Sequence, residues 1–255
     1  MDQTPTPPTP PAKPAPANRV LPPRLKQSAI VIVGFTALLY LVELLDVVLP
    51  VNLDNGGIVS RSLSGLDGVL WAPLLHGDWA HLLANTAPVL IFGFLAMAGG
   101  LGPWIAVTAT IWILGGLGVW LIGPGGNTVT IGASGVAFGW LAFLLVRGLF
   151  NRSIKQIGLA VLLLAWWGSM LWGILPGEPG ISWQGHLFGA LAGILAAWLY
   201  ARANRGKSAG QASAAASGPA TLGTELTGKG PTGKGPTSKG KAKTGRWARS
   251  SGKTG

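Results

Sequence analysis

The feature that most constrains this 255-residue chain is a series of apolar stretches, each about as long as a membrane-crossing helix. The hydrocarbon core of a bilayer is about 30 Å thick, and a helix needs about 20 residues to cross it. Six such stretches are predicted as spans, at residues 28–49, 79–98, 104–122, 132–150, 157–174 and 183–200. Only 11% of the residues are charged, against about a quarter in soluble domains. The sequence therefore predicts an all-α, six-helix membrane protein and excludes an ordinary soluble enzyme.

The formal charge of +11 lies at the two ends of the chain. Residues 1–26 carry a net charge of +3, residues 27–201 carry −2, and residues 202–255 carry +10. The basic charge therefore does not belong to a folded nucleic-acid-binding domain, and we expect no nucleic-acid partner. The chain contains no cysteine, which excludes a disulfide scaffold and thiolate chemistry.

The short loops predict the orientation of the spans. Lysine and arginine residues precede span 1, separate spans 4 and 5, and follow span 6. The opposite loops hold Arg61 and four acidic residues. Because positive charge marks the cytoplasmic side of a membrane, we expect both termini to be cytoplasmic. The protein is predicted to be an integral multi-pass protein of a bacterial-type cell membrane.

The two ends of the chain are predicted to be disordered, because their compositions offer little apolar surface to bury. Residues 1–27 form a proline-rich cytoplasmic N-terminus, residues 28–203 form the six-span domain, and residues 204–255 form a basic cytoplasmic tail. A solvated extension is the favoured interpretation of this tail. Contact with anionic lipid is the alternative, since each basic residue near such a surface contributes about 1 kcal/mol.

A few polar residues lie near the predicted outer ends of spans 2, 4 and 6. His76 and His81 flank the start of span 2, and Asn85 follows one helical turn later. Ser134 opens span 4, and His186 lies at the start of span 6. Because these three spans run in the same direction, the topology alone places the residues in one layer. Ionisable residues inside membranes usually face the bundle interior or a water-filled cavity, so this layer is the candidate functional site.

Glycines on spans 4 and 6 predict that the two helices approach closely. They are Gly135, Gly139, Gly189 and Gly193. At 100° per residue, the first pair lies beside Ser134 and the second pair shares a stripe with His186. Small residues four positions apart allow membrane helices to pack tightly. Such packing would carry the Ser134 hydroxyl to the His186 ring, and a histidine within hydrogen-bond reach is the usual base that activates a serine.

Acyl transfer by a serine also requires hydrogen-bond donors for the developing oxyanion. The start of span 4 offers backbone N–H groups that have no partner within the helix. His81 and Asn85 project from one face of span 2 and can supply side-chain donors. Asp78 is placed to cap the N-terminus of that helix.

The chain contains three motifs that lie in order on spans 2, 4 and 6. They are His-x4-His-x3-Asn (His76, His81, Asn85), Gly-x-Ser-Gly (Gly132, Ser134, Gly135) and His-x2-Gly-x3-Gly (His186, Gly189, Gly193). In these residues the chain resembles rhomboid intramembrane serine proteases, and the resemblance covers about residues 28–203. It implies a six-helix rhomboid-type bundle that cuts other membrane proteins within or beside their transmembrane segments and uses no cofactor or metal.

The same resemblance implies a role for each site residue. Ser134 is the nucleophile and His186 is the base, in a dyad without an acidic third member. His81, Asn85 and the backbone N–H of Ser134 form the oxyanion hole, while His76 and Gly132 are accessory residues. One departure is that the loop after span 1 lacks the Trp-Arg pair that many rhomboids carry.

Three alternative functions remain open at this point. The first is a catalytically inactive rhomboid-like protein that binds client transmembrane helices. The second is a metal site formed by the three histidines, since imidazole is a good zinc ligand. The third is a transport role, which is disfavoured because only span 1 carries acidic residues. The sequence leaves the substrate, the cleavage-site preference and the oligomeric state undetermined.

Overall fold

The computed structural model describes residues 18–126, 128–177 and 180–216. This part of the chain contains seven α-helices and one pair of short antiparallel strands. The helices are α1 (Leu25–Val48), α2 (Gly68–Trp71), α3 (Trp79–Ala96), α4 (Leu101–Ile122), α5 (Ser134–Asn151), α6 (Ile154–Trp167) and α7 (Trp183–Ala216). The strands are β1 (Ile58–Val59) and β2 (Val129–Thr130).

Within the described residues, six helical segments are long and apolar enough to cross a membrane. They are Leu25–Val48, Trp79–Gly99, Leu101–Ile122, Ser134–Asn151, Ile154–Ile174 and Trp183–Gly206. The predicted six-span, all-α architecture is therefore confirmed. The fifth span comprises α6 and a following 3-10 helix, Gly168–Ile174.

The boundaries of the predicted tails differ from those in the structure. Helix α1 begins at Leu25 rather than after residue 27, and the carbonyl of Arg19 accepts a hydrogen bond of 2.9 Å from the side chain of Gln156. Helix α7 continues to Ala216, beyond the predicted end of the six-span domain at residue 203. Alanine is common in this segment and favours helix, and extending an existing helix needs no new nucleus. Residues 1–17 and 217–255, also predicted to be disordered, lie outside the described residues.

Helix α5 occupies the centre of the bundle and packs against α3, α4 and α6. Its side chains Trp140, Phe143 and Leu144 are fully buried. Every residue from Val136 to Leu144 is buried, so all sides of this part of α5 are covered by other parts of the protein. The central helix is therefore the one whose first residue is Ser134.

The long loop between α1 and α3 is attached to α4 and to the segment before α5. Strand β1 pairs with β2, with Ile58 opposite Thr130. The indole of Trp120 donates to the carbonyl of Ser62 at 2.8 Å, and that of Trp112 donates to the carbonyl of Val69 at 3.0 Å. In this chain, tryptophans of α4 hold the loop that lacks the Trp-Arg pair.

Candidate active site

The start of α5 is set by a turn that requires glycine. Gly132 has φ of +115°, a conformation that other residues rarely adopt. A side chain at Gly132 would also begin 2.8 Å from the His81 ring. The amide of Gly132 donates to the carbonyl of Ala72 at 2.8 Å. Span 4 was predicted to begin at residue 132, but this turn delays the first helical residue to Ser134.

The Ser134 hydroxyl and the His186 ring are in direct hydrogen-bond contact, and we call them the Ser–His pair. The distance from Ser134 Oγ to His186 Nε2 is 2.9 Å. The other ring nitrogen, Nδ1, lies 2.9 Å from the carbonyl oxygen of Gly173. Because a carbonyl can only accept, Nδ1 must carry the proton, and the neutral ring then offers the lone pair of Nε2 to the hydroxyl. This is the tautomer that a general base requires.

An aromatic side chain fixes the plane of the His186 ring. Phe138 stacks on it with ring centroids 4.0 Å apart and planes 7° from parallel. Phe138 lies one turn after Ser134 on α5, so the same helix supplies both the hydroxyl and the stacking surface. His186 is 8% exposed. Two contacts, the stacked ring and the Gly173 carbonyl, therefore hold the imidazole against the serine.

The contact between α5 and α7 is made by backbone rather than by side chains. A methyl group at Gly189 would overlap the carbonyl of Gly135, and one at Gly193 would overlap the carbonyl of Gly139. All four glycines of the predicted stripes therefore lie in this contact. Helices that pack without intervening side chains come close enough for a short serine side chain to reach its partner.

His81 and Asn85 face the Ser–His pair across a cavity of about 640 Å³. All four residues line this cavity. Asn85 is 4% exposed, and its side-chain amide donates to the carbonyl of His81 at 3.0 Å. That bond uses one of the two N–H groups of the amide. The predicted cap is confirmed, because the carboxylate of Asp78 accepts a hydrogen bond of 2.7 Å from the amide of His81.

The first turn of α5 provides backbone donors beside the serine. The leading N–H groups of an α-helix have no acceptor within the helix, and the helix dipole makes this end electropositive. In α5 these groups include the amides of Ser134 and Gly135. A negative charge that develops next to Ser134 Oγ would therefore meet preorganised donors.

His76 lies behind the turn that precedes Ser134. Its side chain is 1% exposed, and its Nε2 accepts a hydrogen bond of 3.4 Å from the amide of Ala133. Its ring also meets the ring of His81 edge to face, at 5.1 Å between centroids. Burial, with a smaller effect of His81, lowers the pKa of His76 to about 4. His76 is therefore neutral at physiological pH and contacts the turn rather than the hydroxyl of Ser134.

Two further contacts of the site were not predicted from the sequence. Phe138 lies within the glycine-rich segment, and its position four residues after Ser134 was a usable signal, since both lie on one face of a helix. Gly173 contributes only its carbonyl, from a 3-10 helix that the hydropathy pattern does not reveal. Among the described residues, no group of three His, Cys, Asp or Glu side chains is arranged to hold a metal ion.

The fold and this site define a class, namely integral membrane proteins that carry a Ser–His pair between two transmembrane helices. A family model for the Rhomboid domain matches residues 65–203, which is more than half of the chain. The chain belongs to the rhomboid family.

Relatives of the chain occur in bacteria, a protozoan parasite and a virus. An uncharacterized protein of Mycobacterium tuberculosis is 49% identical over 203 residues, covering 77% of this chain and 85% of the relative. The rhomboid-like protease 5 of Toxoplasma gondii is 28% identical, covering 53% of this chain and 16% of the relative. A putative rhomboid protein of Acanthamoeba polyphaga mimivirus is 29% identical, covering 61% and 86% respectively. No solved structure matches the chain at a significant level.

Proposed function

We propose that this protein is an intramembrane serine endopeptidase that cleaves membrane proteins within or beside their transmembrane segments. The observation that carries the proposal is the 2.9 Å hydrogen bond between Ser134 Oγ and His186 Nε2. A serine becomes a competent nucleophile when a positioned base can take its proton. The Gly173 carbonyl holds the base in the required tautomer without an acidic third residue.

The proposed reaction has two steps. Ser134 Oγ attacks the carbonyl carbon of the scissile peptide bond while His186 Nε2 accepts the hydroxyl proton. The C–N bond then breaks, the imidazolium returns that proton to the leaving amine, and an acyl-enzyme ester remains. Water attacks the ester with His186 again acting as base, and this step releases the acid and restores the serine.

The oxyanion of each tetrahedral intermediate needs donors at the site where it forms. The amides of Ser134 and Gly135 lie at the start of α5, and Asn85 and His81 lie on the facing wall of the cavity. Asn85 retains one N–H group that its bond to His81 does not use. We assign these groups to the oxyanion hole, and we assign His76 and Gly132 to the shaping of the turn that presents Ser134.

The cavity has room for a short segment of a peptide substrate. Its volume is about 640 Å³, and Gly77 and Asp78 line it before the first turn of α3. An extended segment of a transmembrane protein can enter a site of this kind from the membrane or from its edge. We therefore propose membrane proteins as the substrates.

A fluorophosphonate probe that modifies activated serines provides the test. The detergent-solubilised protein should be labelled, and labelling should disappear in Ser134→Ala and in His186→Ala. Ser169→Ala is the matched control, because Ser169 is exposed in the 3-10 helix after α6 and should leave labelling unchanged. The same three variants are then compared in the cleavage of a model transmembrane substrate.

The alternative is a catalytically inactive rhomboid-like protein that binds client helices. A folded wild-type protein that neither reacts with the probe nor cleaves the substrate would refute the peptidase and favour this alternative. Labelling that persists in Ser134→Ala would show that the probe reacts elsewhere, and it would equally contradict the assigned nucleophile.

We also propose that both termini are cytoplasmic and that the Ser–His pair lies near the outer surface. The support is the basic character of the loops predicted to be inside. Because the chain contains no cysteine, a single cysteine at the exposed position of Ser64 reports the side of that loop. A membrane-impermeant maleimide should label Ser64→Cys in intact cells. Labelling that requires cell lysis would reverse the proposed orientation.

A further inference from the structure

The third helix contains a proline in its interior. Helix α3 runs without interruption over Trp79–Ala96, and Pro88 lies near its middle. Proline has no N–H group to donate to the carbonyl four residues earlier, and its ring pushes that carbonyl away from the helix axis. In α3 this carbonyl belongs to Ala84. A carbonyl without a donor is costly inside a membrane, where water is not available to pair with it.

The residue that carries this carbonyl lies on the wall of the active-site cavity. Ala84 and Pro88 both line the cavity of about 640 Å³, together with Asn85 and the Ser–His pair. Ala84 is exposed in that wall, whereas Pro88 is buried against the bundle. Backbone carbonyls in a helix point towards its C-terminus, so the Ala84 carbonyl points towards the ring of Pro88.

Neighbouring carbonyls of α3 receive additional donors from side chains. The carbonyl of His81 accepts a hydrogen bond from the Asn85 amide at 3.0 Å, and that of Leu82 accepts one from the hydroxyl of Thr86 at 2.9 Å. Ala84 is followed four positions later by the one residue type that has no backbone donor at all. The helix therefore presents an acceptor at the depth of the candidate site.

A peptide that is cut inside a membrane needs such an acceptor. Its residues around the scissile bond must leave the helical state to expose the carbonyl to the serine. Their N–H groups then lose their acceptors within the helix, and an acceptor in the site would replace the ones that are lost. The groups assigned to the oxyanion hole are donors, so they cannot pair with these N–H groups.

We propose that the Ala84 carbonyl accepts a hydrogen bond from a backbone N–H of the substrate next to the scissile bond, and that Pro88 is the positioning residue that keeps this carbonyl free. The inference rests on the proposed peptidase function and extends it to the substrate backbone. The acceptor is sequence-independent, because every residue except proline offers the same N–H group.

The first test is Pro88→Ala, which supplies the missing N–H and lets Ala84 bond within the helix. A hydrogen bond of ordinary strength predicts a decrease of about fivefold in kcat/KM for a transmembrane substrate, mainly through KM. The rate of fluorophosphonate labelling should not change, since the small probe has no backbone N–H to lose. Pro103→Ala is the control, because Pro103 lies in the first turn of α4, where a proline frees no carbonyl.

The second test removes the donor from the substrate. Synthetic transmembrane peptides carry a single ester in place of a backbone amide, at one position at a time on either side of the scissile bond. An ester at one of these positions should lower kcat/KM of the wild type by about fivefold. In Pro88→Ala the ester at that position should cause no further decrease in kcat/KM, because the Ala84 carbonyl already accepts a hydrogen bond within the helix.

Three different results would overturn the proposal. If Pro88→Ala slows labelling as much as cleavage, Pro88 acts on the geometry of the Ser–His pair and not on the substrate. If every ester costs the same in the wild type and in Pro88→Ala, the Ala84 carbonyl is not the acceptor. If the wild type is not labelled at all, the peptidase function fails first and the inference fails with it.

Discussion

The two walls of the active-site cavity are built in opposite ways. On one wall α5 and α7 touch backbone to backbone, at Gly135 against Gly189 and at Gly139 against Gly193. The other wall is α3, which stands across a cavity of about 640 Å³ and contains a proline in its interior. The groups that exchange a proton lie on the closely packed wall. The side chains of His81 and Asn85 and the Ala84 carbonyl, which we assign to substrate contact, lie on the separated wall, which has to admit a peptide.

The largest expected effect comes from placing a methyl group in the packed wall. Gly189→Ala should abolish fluorophosphonate labelling and cleavage, because the new methyl overlaps the Gly135 carbonyl and forces α7 away from α5. A displacement of about 1 Å from a reactive geometry costs about a hundredfold or more in rate. Gly158→Ala on α6 is the control, since the structure leaves open space there. Equal activity of the two variants would contradict the backbone contact.

A large effect is also expected on the separated wall, but without a loss of packing. Asn85→Ala removes a side-chain donor that faces Ser134 across the cavity, and the loss of one oxyanion donor costs about 10²–10³ in kcat. Thermal unfolding should change little compared with Gly189→Ala. The measurement is kcat for a transmembrane substrate together with the melting temperature of each variant. A decrease confined to KM would instead place Asn85 in substrate binding.

A smaller effect is expected from the ring that orients the base. Phe138→Leu removes the stacking surface of His186, and an aromatic pair contributes about 0.5–1.5 kcal/mol, which corresponds to a decrease of up to about tenfold in labelling rate. Phe138→Tyr keeps the ring and should retain most of the activity. If Phe138→Tyr and Phe138→Leu are equally impaired, stacking on His186 is not the contribution of this residue.

The smallest effect concerns a carboxyl group near the start of α3. Burial, followed by the charges of Asp46 and Asp78, raises the pKa of Asp54 to about 6. Because the folded protein binds this proton more tightly than the unfolded chain, stability falls as pH rises from about 4 to about 6 and then stays lower. Asp54→Asn removes the free-energy cost of ionising this carboxyl group in the folded protein. It should raise the melting temperature by about 1–2 °C at pH 7.5, with little change at pH 4.

The control for that comparison is Asp67→Asn, in an exposed carboxylate of the same long loop. If Asp54→Asn is no more stable than the wild type at pH 7.5, the carboxyl group is not held in an unfavourable charged state.

Much of this molecule is predictable from local patterns. The six apolar stretches predict the spans because a bilayer imposes one length on every crossing helix. The alternation of direction then brings His81, Ser134 and His186 into one layer. The glycine spacing on spans 4 and 6 predicts where two helices approach, since the 3.6-residue period places such glycines on one face. None of these steps requires knowledge of the neighbours of a residue.

The sequence by itself therefore determined the six helices, their order and the identity of the serine and the histidine. Only the tertiary structure decided how the histidine is held, because Phe138 and the Gly173 carbonyl reach it from two different helical segments. It also decided that Ala84 and Pro88 line the cavity of the Ser–His pair. Hydropathy and motif spacing report what each segment requires locally. Every residue has a backbone carbonyl, so residue type does not reveal which carbonyl serves as a hydrogen-bond acceptor in the site. Such an acceptor can be recognised only once the helices are assembled.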